Sequence, residues 1–375
     1  MTDFELDLGS GLNLKRAEQA IKTLGTQHLQ GHSALVNLSR CQHVDVGGGW
    51  RLGCALRRFE RVGLSVHVPS PGNFAGSWFL NFTRSGLGLS LSRYASEILA
   101  DGQDITETIR SYYRTPRAHL SAYSSQTPPA WIGQNSILIP DIESGVLFLD
   151  DISHFLVSIE PLFQYVKLDV KAYNKEDMAA LIRLLFESAQ NVWDHADRSP
   201  LPETTSITSY ISFRYYKKVA VKVDHGTSLE DYLSRYESFL PSSTDVVGFV
   251  ELNVVDDGVG IAARQSQDHS IYWGDFHHEL AMTTLAFTDG ISVKLQSHDA
   301  TVRGKPGFGF GNIKESLEHL VAYAFVRTGR VAAYFDPTSG HREFQLDPRP
   351  LGYMPGTVLQ VLLPARIARV FSVVE

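Results

Sequence analysis

Residues 174–195, "NKEDMAALIRLLFESAQNVWDH", carry two patterns at once. Met178, Leu181, Ile182, Leu185, Ala189, Val192 and Trp193, with Ala196 just beyond, recur at i, i+3, i+4 and i+7, which predicts a helix with one apolar face. Asn174 suits the N-cap, acidic residues fill the first turn, and Pro200 stops the pattern soon after. Glu187, Asn191 and His195 stand four apart and therefore stack on the face opposite the apolar positions, with Asp194 beside them. For this helix alone, a solvated polar face and a ligand-holding face are both open readings.

Strand-like runs come next, at 206–223, 246–255, 321–335 and 356–364. That order predicts helices laid over one face of a mostly antiparallel sheet, an α+β two-layer sandwich, over residues 166–375. Upstream, "SALVNLS" from Ser33 and "LSVHVPSP" from Leu64 read as short buried strands. Between them Trp50, Leu52, Leu56 and Phe59 fall at helical intervals, so the three elements predict a βαβ unit with parallel strands. A second helix is expected around "LGLSLSRYASEIL". From Asp101 to Pro140, Pro, Ser, Gln and Tyr dominate, and the stretch reads as an irregular connection. The expected division is an α/β module over 1–165, with its core at about 33–100, and the sandwich over 166–375.

The chain has 375 residues, enough for two domains at ~150 residues each. With 43% hydrophobic and 20% charged residues it can bury a full core. A formal charge of −7 argues against general nucleic-acid binding, and the short basic run "RYYKK" ending at Lys218 reads as a solvated strand edge. Cys41 and Cys54 lack CxxC spacing, which suits a reducing compartment and neither a disulfide scaffold nor a zinc site. The N-terminus shows no signal-peptide pattern, and no run approaches the ~20 apolar residues of a membrane helix. A soluble, cytoplasmic protein without membrane contact is expected.

Three further stretches carry chemistry. In "VELNVVDDGVGIAA" (250–263) an apolar strand runs into Asp256 and Asp257, and Gly258 and Gly260 allow a tight turn and close ligand approach. A carboxylate at a strand end accepts donors from a flat ring; an ordinary Asp-Gly turn is the plainer alternative. In "RGKPGFGFGNIKESLEHL" (303–320), Gly304, Gly307, Gly309 and Gly311 precede a helix expected near Asn312. Bare backbone entering a helix N-terminus can cradle phosphate, and a flexible hairpin has the same composition. Neither a P-loop nor a dinucleotide fingerprint fits the spacing. In "PGTVLQVLLP" (355–364), Thr357 enters a strand where its hydroxyl can share a water with Asp256.

Together and in this order, "E-x-x-x-N", "DDGVGI", "GFGFGN" and "GTVLQVLLP" resemble the N box, two glycine boxes and closing strand of the histidine-kinase-like ATPase superfamily, which includes gyrase, MutL, a large heat-shock chaperone and sensor kinases. The resemblance implies ATP and Mg²⁺ as cofactors. Asn191 would bind the metal bridging the phosphates, and Asp256 would read the adenine amino group. Gly307, Gly309 and Gly311 would line the triphosphate. The implied binding set further takes in Asp194, His195, Gly258, Gly260, Ile261, Lys305, Phe308, Phe310 and Thr357. Residues 262–306, including "TDGISVK", would form a mobile lid. Glu187, one turn before Asn191, would be the catalytic carboxylate that orients or deprotonates water. His195 is open between a phosphate-facing role and a structural hydrogen bond.

Some features depart from that superfamily. His154 in "DDISHFLVSIEPL" sits in a segment too short for a phosphoacceptor hairpin, and a packed histidine is the preferred reading. No segment with a catalytic lysine comes after the closing strand before Glu375, which speaks against a DNA-acting machine. Over about residues 33–100, on the strength of the stretch 34–71, the chain is similar to the sulfate-transporter and anti-sigma-antagonist fold, whose partner kinases belong to the same superfamily. There the Asp of the turn precedes a phosphorylated Ser; here Asp45 precedes Val46, Gly47 and Gly48, so the module is expected to dock or regulate. The leading expectation is an ATP-driven conformational switch with slow hydrolysis and a docked protein partner, with a homodimer allowed. The alternatives are a serine or histidine protein kinase of anti-sigma type and a non-hydrolysing, ATP-dependent binding module.

Overall fold

A computed structural model of the chain describes residues 4–26, 33–44, 46–59, 63–69, 82, 87–113, 135–138, 173–195, 209–217, 227–268, 270–271, 274–288 and 309–368. The first part holds β1 (Phe4–Asp7), β2 (Gly11–Leu12), α1 (Leu14–Thr26), β3 (Ala34–Asn37), β4 (His43–Val44), α2 (Val46–Leu56), a 3₁₀ turn (Arg57–Phe59) and β5 (Leu64–Val68). It continues with α3 (Leu87–Tyr94), β6 (Glu97–Ala100), β7 (Gln103–Asp104) and α4 (Thr106–Tyr113). Strands β1, β3, β5 and β6 pair in parallel in that order, and β7 closes the edge antiparallel. The βαβ unit around α2 is present, with Ala34 and Val36 of β3 buried beside Leu64, Val66 and Val68 of β5. Regular structure continues past Asp101, where an irregular connection was expected. The Asp104 carboxylate accepts the Thr106 N–H at 2.9 Å and its hydroxyl at 2.5 Å, which starts a helix too short to show an apolar period.

The second part holds β8 (Asn135–Leu138), α5 (Lys175–His195), β9 (Ser209–Lys217), α6 (Thr227–Arg235), a 3₁₀ turn (Tyr236–Phe239) and β10 (Thr244–Asp256). It continues with α7 (Ile261–Ser266), α8 (Phe276–Phe287), α9 (Gly309–Leu320), β11 (Tyr323–Gly329), β12 (Val331–Phe335), β13 (Gln345–Leu346) and β14 (Met354–Ala368). These strands form one seven-stranded antiparallel sheet in the order β13-β12-β11-β14-β10-β9-β8. Strand β8 lies within the stretch expected to be irregular and to belong with the first part; its pairing with β9 makes it the edge of the second sheet. Helix α5 opens with a reciprocal cap, since the Asp177 N–H reaches Asn174 Oδ1 at 2.8 Å and the Asn174 N–H reaches Asp177 Oδ2 at 3.2 Å.

One face of the antiparallel sheet is covered as expected. Val250, Leu252 and Val254 of β10 and Leu359, Val361 and Leu363 of β14 share a core with Leu181, Leu184 and Leu185 of α5 and Ile313 and Leu317 of α9. The opposite face is covered too. Val255, Met354 and Val358 belong to the core of the first part, and Phe249, Tyr323 and Leu362 pack with Leu229 and Tyr232 of α6 and Tyr236 of the turn after it. The sheet is therefore a middle layer, which explains why β10 and β14 carry consecutive apolar residues rather than a strict alternation. The whole is a mixed α/β fold. No helix among the described residues is long and apolar enough to cross a membrane.

Polar groups stitch the two parts together. Glu18 of α1 accepts from Arg327 Nε of β11 at 3.1 Å and from Arg51 Nη1 of α2 at 3.2 Å. Arg327 is fully buried. Burial works to raise the Glu18 carboxyl, but the two guanidiniums outweigh it and hold the group below the usual carboxylate range. Arg51 lies over the Phe325 ring at 4.6 Å and donates to Gln360 Oε1 at 3.2 Å. Gln360 and Asn253 in turn each donate to Glu251 Oε1 at 2.8 Å. Removing Glu18 takes the shared anion from two guanidiniums. Glu18→Ala should lose about 3–5 kcal/mol of unfolding free energy, read from urea melts of the full chain. Glu315→Ala, which breaks an exposed pair with Arg183, should stay within ~0.5 kcal/mol.

Candidate functional site

The polar side of α5 faces α9. Along α5, Arg183, Glu187 and Asn191 stand four apart; along α9, read backwards, Glu315, Asn312 and Gly309 stand three apart. The rungs meet one to one. Arg183 Nη1 is 3.4 Å from Glu315 Oε2, Asn312 Nδ2 donates to Glu187 Oε1 at 2.7 Å, and a Cβ at Gly309 would stand 2.6 Å from Asn191 Oδ1. The sequence pattern predicted these groups opposite the apolar face. They occupy its flank instead, because α9 packs beside α5 on the same sheet. The Asn191 Nδ2 atom is buried and has no hydrogen-bond partner among the described residues, an arrangement that costs about 1–3 kcal/mol unless a ligand completes it.

A second polar group sits at the end of β10. Asp256 pairs in register with Thr357 of β14 and with Ser209 of β9. Asp256 continues the series Val250, Leu252, Val254, and Thr357 continues the series Leu363, Val361, Leu359, so both belong to the sheet face under α5 and α9. The Asp256 carboxylate accepts the Gly258 N–H at 2.9 Å and also meets the Thr357 hydroxyl and backbone. Thr328 of β11 joins the cluster: its hydroxyl lies 3.4 Å from that of Thr357, accepts the Ile261 N–H at 3.0 Å and donates to Gly356 O at 3.1 Å. Gly356 is held at φ +76°, and a Cβ there would come within 2.1 Å of the Asp256 carbonyl, so only glycine lets β14 close this tightly on the acidic turn.

Gly260 is the N-cap of α7 at φ +81°, and Ile261 begins that helix. Gly309, Phe310 and Gly311 form the first turn of α9, which starts earlier than the expected Asn312. Ile261, close after Asp256, and Phe310, beside the Asn191 rung, pack against one common core, so both polar groups border one layer between helices and sheet. Asp194 and His195 close α5, but their side chains lie outside the described residues, as do Lys305, Gly307, Phe308, His154, Asp45 and the expected lid from 289 onward. The segment expected to be a mobile lid begins with two anchored helices. Glu279 of α8 is fully buried, and Arg330 donates to it through its backbone N–H at 2.5 Å and its Nε at 2.6 Å. Phe287 at the other end of α8 meets Phe310 with ring centroids 4.7 Å apart.

Sequence reasoning missed Thr328, although its parity with Ala324 and Val326 of β11 assigns it to the helix-facing side. It also treated Asn312 only as a helix start. Among the described residues no three His, Cys, Asp or Glu side chains converge on a metal position. A hard cation here would therefore need ligand oxygens beyond a single Asn191 amide. No protein-family model, curated protein or solved structure matches the chain. The fold and site together define a mixed α/β protein with a buried acidic strand end and a polar helix seam.

Burial pushes the Asp256 carboxyl up to about 6 from 3.8, against the opposing pull of the Gly258 N–H, Arg57 and Thr357. Between those two pH values the folded chain holds this proton more than the unfolded chain does, so the contribution of Asp256 to stability falls as pH rises. Asp256→Asn removes the titration. The difference in unfolding free energy, variant minus wild type, should move in favour of the variant from pH 3.8 to about 6 and then level off. A difference curve that stays flat across that window would exclude a desolvated Asp256.

Proposed function

We propose that residues 166–375 form an ATP·Mg-binding unit of the histidine-kinase-like kind, working as a conformational switch with slow hydrolysis. The observation that carries this reading is the buried Nδ2 of Asn191, without a hydrogen-bond partner among the described residues, set one turn after Glu187 and against Gly309 at the glycine start of α9. A flip of the amide presents oxygen to Mg²⁺ or nitrogen to a phosphate oxygen, and the first-turn N–H groups of α9 favour an anion at the same place. Asp256 supports the other end of the ligand. A buried carboxylate with a hydroxyl beside it is suited to accept from the amino group of a purine.

In this reading Mg²⁺ would neutralise charge developing on the phosphates. Glu187 would orient a water or take its proton, with the Asn312 amide fixing the carboxylate's direction. Gly309 would leave room for Asn191 and for phosphate oxygens. Helices α1 and α2 of the N-terminal module already pack on the chain's own sheet. A protein partner is therefore left the other surfaces of that module.

The two polar residues of α5 should fail differently. Asn191→Ala should weaken Mg·ATP binding itself. Glu187→Ala should leave binding intact and lower phosphate release on the order of 10²–10⁴-fold. Incubation with γ-labelled ATP decides between the classes of activity: free phosphate supports the switch, and label on an added protein supports a kinase. Bound but intact ATP supports a binding module, and absence of binding overturns the proposal.

A further inference from the structure

The turn that carries Asp256 is gripped from behind by the N-terminal part. Asp257, the second carboxylate of "DDGVG", is buried and lies against that part. The Tyr94 hydroxyl at the end of α3 donates to Asp257 Oδ2. Arg57, in the 3₁₀ turn after α2, donates through Nη1 to the Asp257 carbonyl and lies 3.3 Å from Asp257 Oδ1. Cys54 Sγ, one turn earlier, lies 3.7 Å from the Asp256 carbonyl. Three side chains of the N-terminal part thus hold the chain on both sides of the Asp256–Asp257 peptide. The Asp256 side chain is turned to the opposite face of the sheet, toward Thr357.

We infer that Arg57 and Tyr94 are positioning residues for the Asp256 turn, so that docking of the N-terminal part sets the affinity of the adenine end of the site; this rests on the nucleotide reading above. The physical reason is geometric. The ladder ends at Asp256, which pairs with Thr357 and Ser209, so Asp257 lies beyond the strand registers, and glycines at 258 and 260 give the next peptides little side-chain restraint. The clamp supplies the missing restraint from the far side. Because binding and docking share one rigid turn, each favours the other by the same factor. Asp257 then serves as the handle by which the module holds the turn, while Asp256 meets the ligand.

The test uses the full chain and two probes, Mg·ATP and Mg·tripolyphosphate, with affinities from calorimetry and melting temperatures for every variant. Tyr94→Phe, which removes one hydroxyl, and Arg57→Lys should each weaken Mg·ATP by about 5–150-fold. Both should leave Mg·tripolyphosphate, which has no adenine, within about twofold of wild type. Arg51→Lys, a seam change away from the turn that leaves the clamp contacts intact and the module docked in the folded chain, should lower the melting temperature while keeping ATP affinity within about twofold. Unchanged ATP affinity in both clamp variants overturns the positioning role and leaves the nucleotide reading standing. Equal loss for both probes also overturns it, as general loosening. A wild-type chain that binds neither probe overturns the nucleotide reading, and the positioning role with it.

Discussion

One carboxylate, Glu18, takes guanidinium donors from two directions, Arg51 of its own part and Arg327 of the antiparallel sheet. Arg327 sits within β11 with no exposed surface, where an uncompensated charge would be untenable. The sheet can present that residue to its second face only if the N-terminal part is docked there. The same contact lets Arg51 cover Phe325 and reach Gln360, which extends the polar seam to Glu251 and Asn253. An apolar patch of Val255, Met354 and Val358 lies alongside and supplies the non-directional part of the attraction. The charges fix where the two parts meet, since a shifted register would strand at least one of them.

With that face occupied, the antiparallel sheet is buried on both sides, and its two faces divide the work. The face toward the N-terminal part holds Arg327, Gln360 and Glu251 in a polar network. The face toward α5 and α9 is apolar along most of its length and polar toward its ends, at Asp256, Thr357 and Thr328 on one side and where Arg366 of β14 meets Asp177 of α5 on the other. Helices α5 and α9 repeat the pattern: Leu184, Leu185, Ile313 and Leu317 enter the core, while Glu187, Asn191 and Asn312 meet along the flank. Polar groups gathered at the ends of an apolar layer keep the cost of burial local, and at the Asp256 edge they leave room for a ligand to complete it. A cover for that edge would have to build on α7 and on α8, which the Glu279–Arg330 pair and the Phe287–Phe310 contact hold at two points.

The sequence by itself determined the elements whose patterns are long or whose caps are strong. Helix α5 was legible from its apolar period and Asn174, β10 and β14 from their apolar runs, and the parallel β3–β5 pair from the helix between them. It also marked Glu187, Asn191, Asp256 and Thr357 as a group. The tertiary structure decided what short-range pattern does not encode. Strands β7 and β8 and helix α4 are too short to show a period, and β8 belongs to its sheet only by pairing with β9. The polar groups of α5 are half-buried along its flank because α9 lies beside it, not because of their own spacing. The second covered face depends on Glu18, Arg51 and Arg327, which stand far apart along the chain and become neighbours only when two sheets meet. Local periodicity announces a helix and its faces; long-range packing decides which face is buried and against which neighbour.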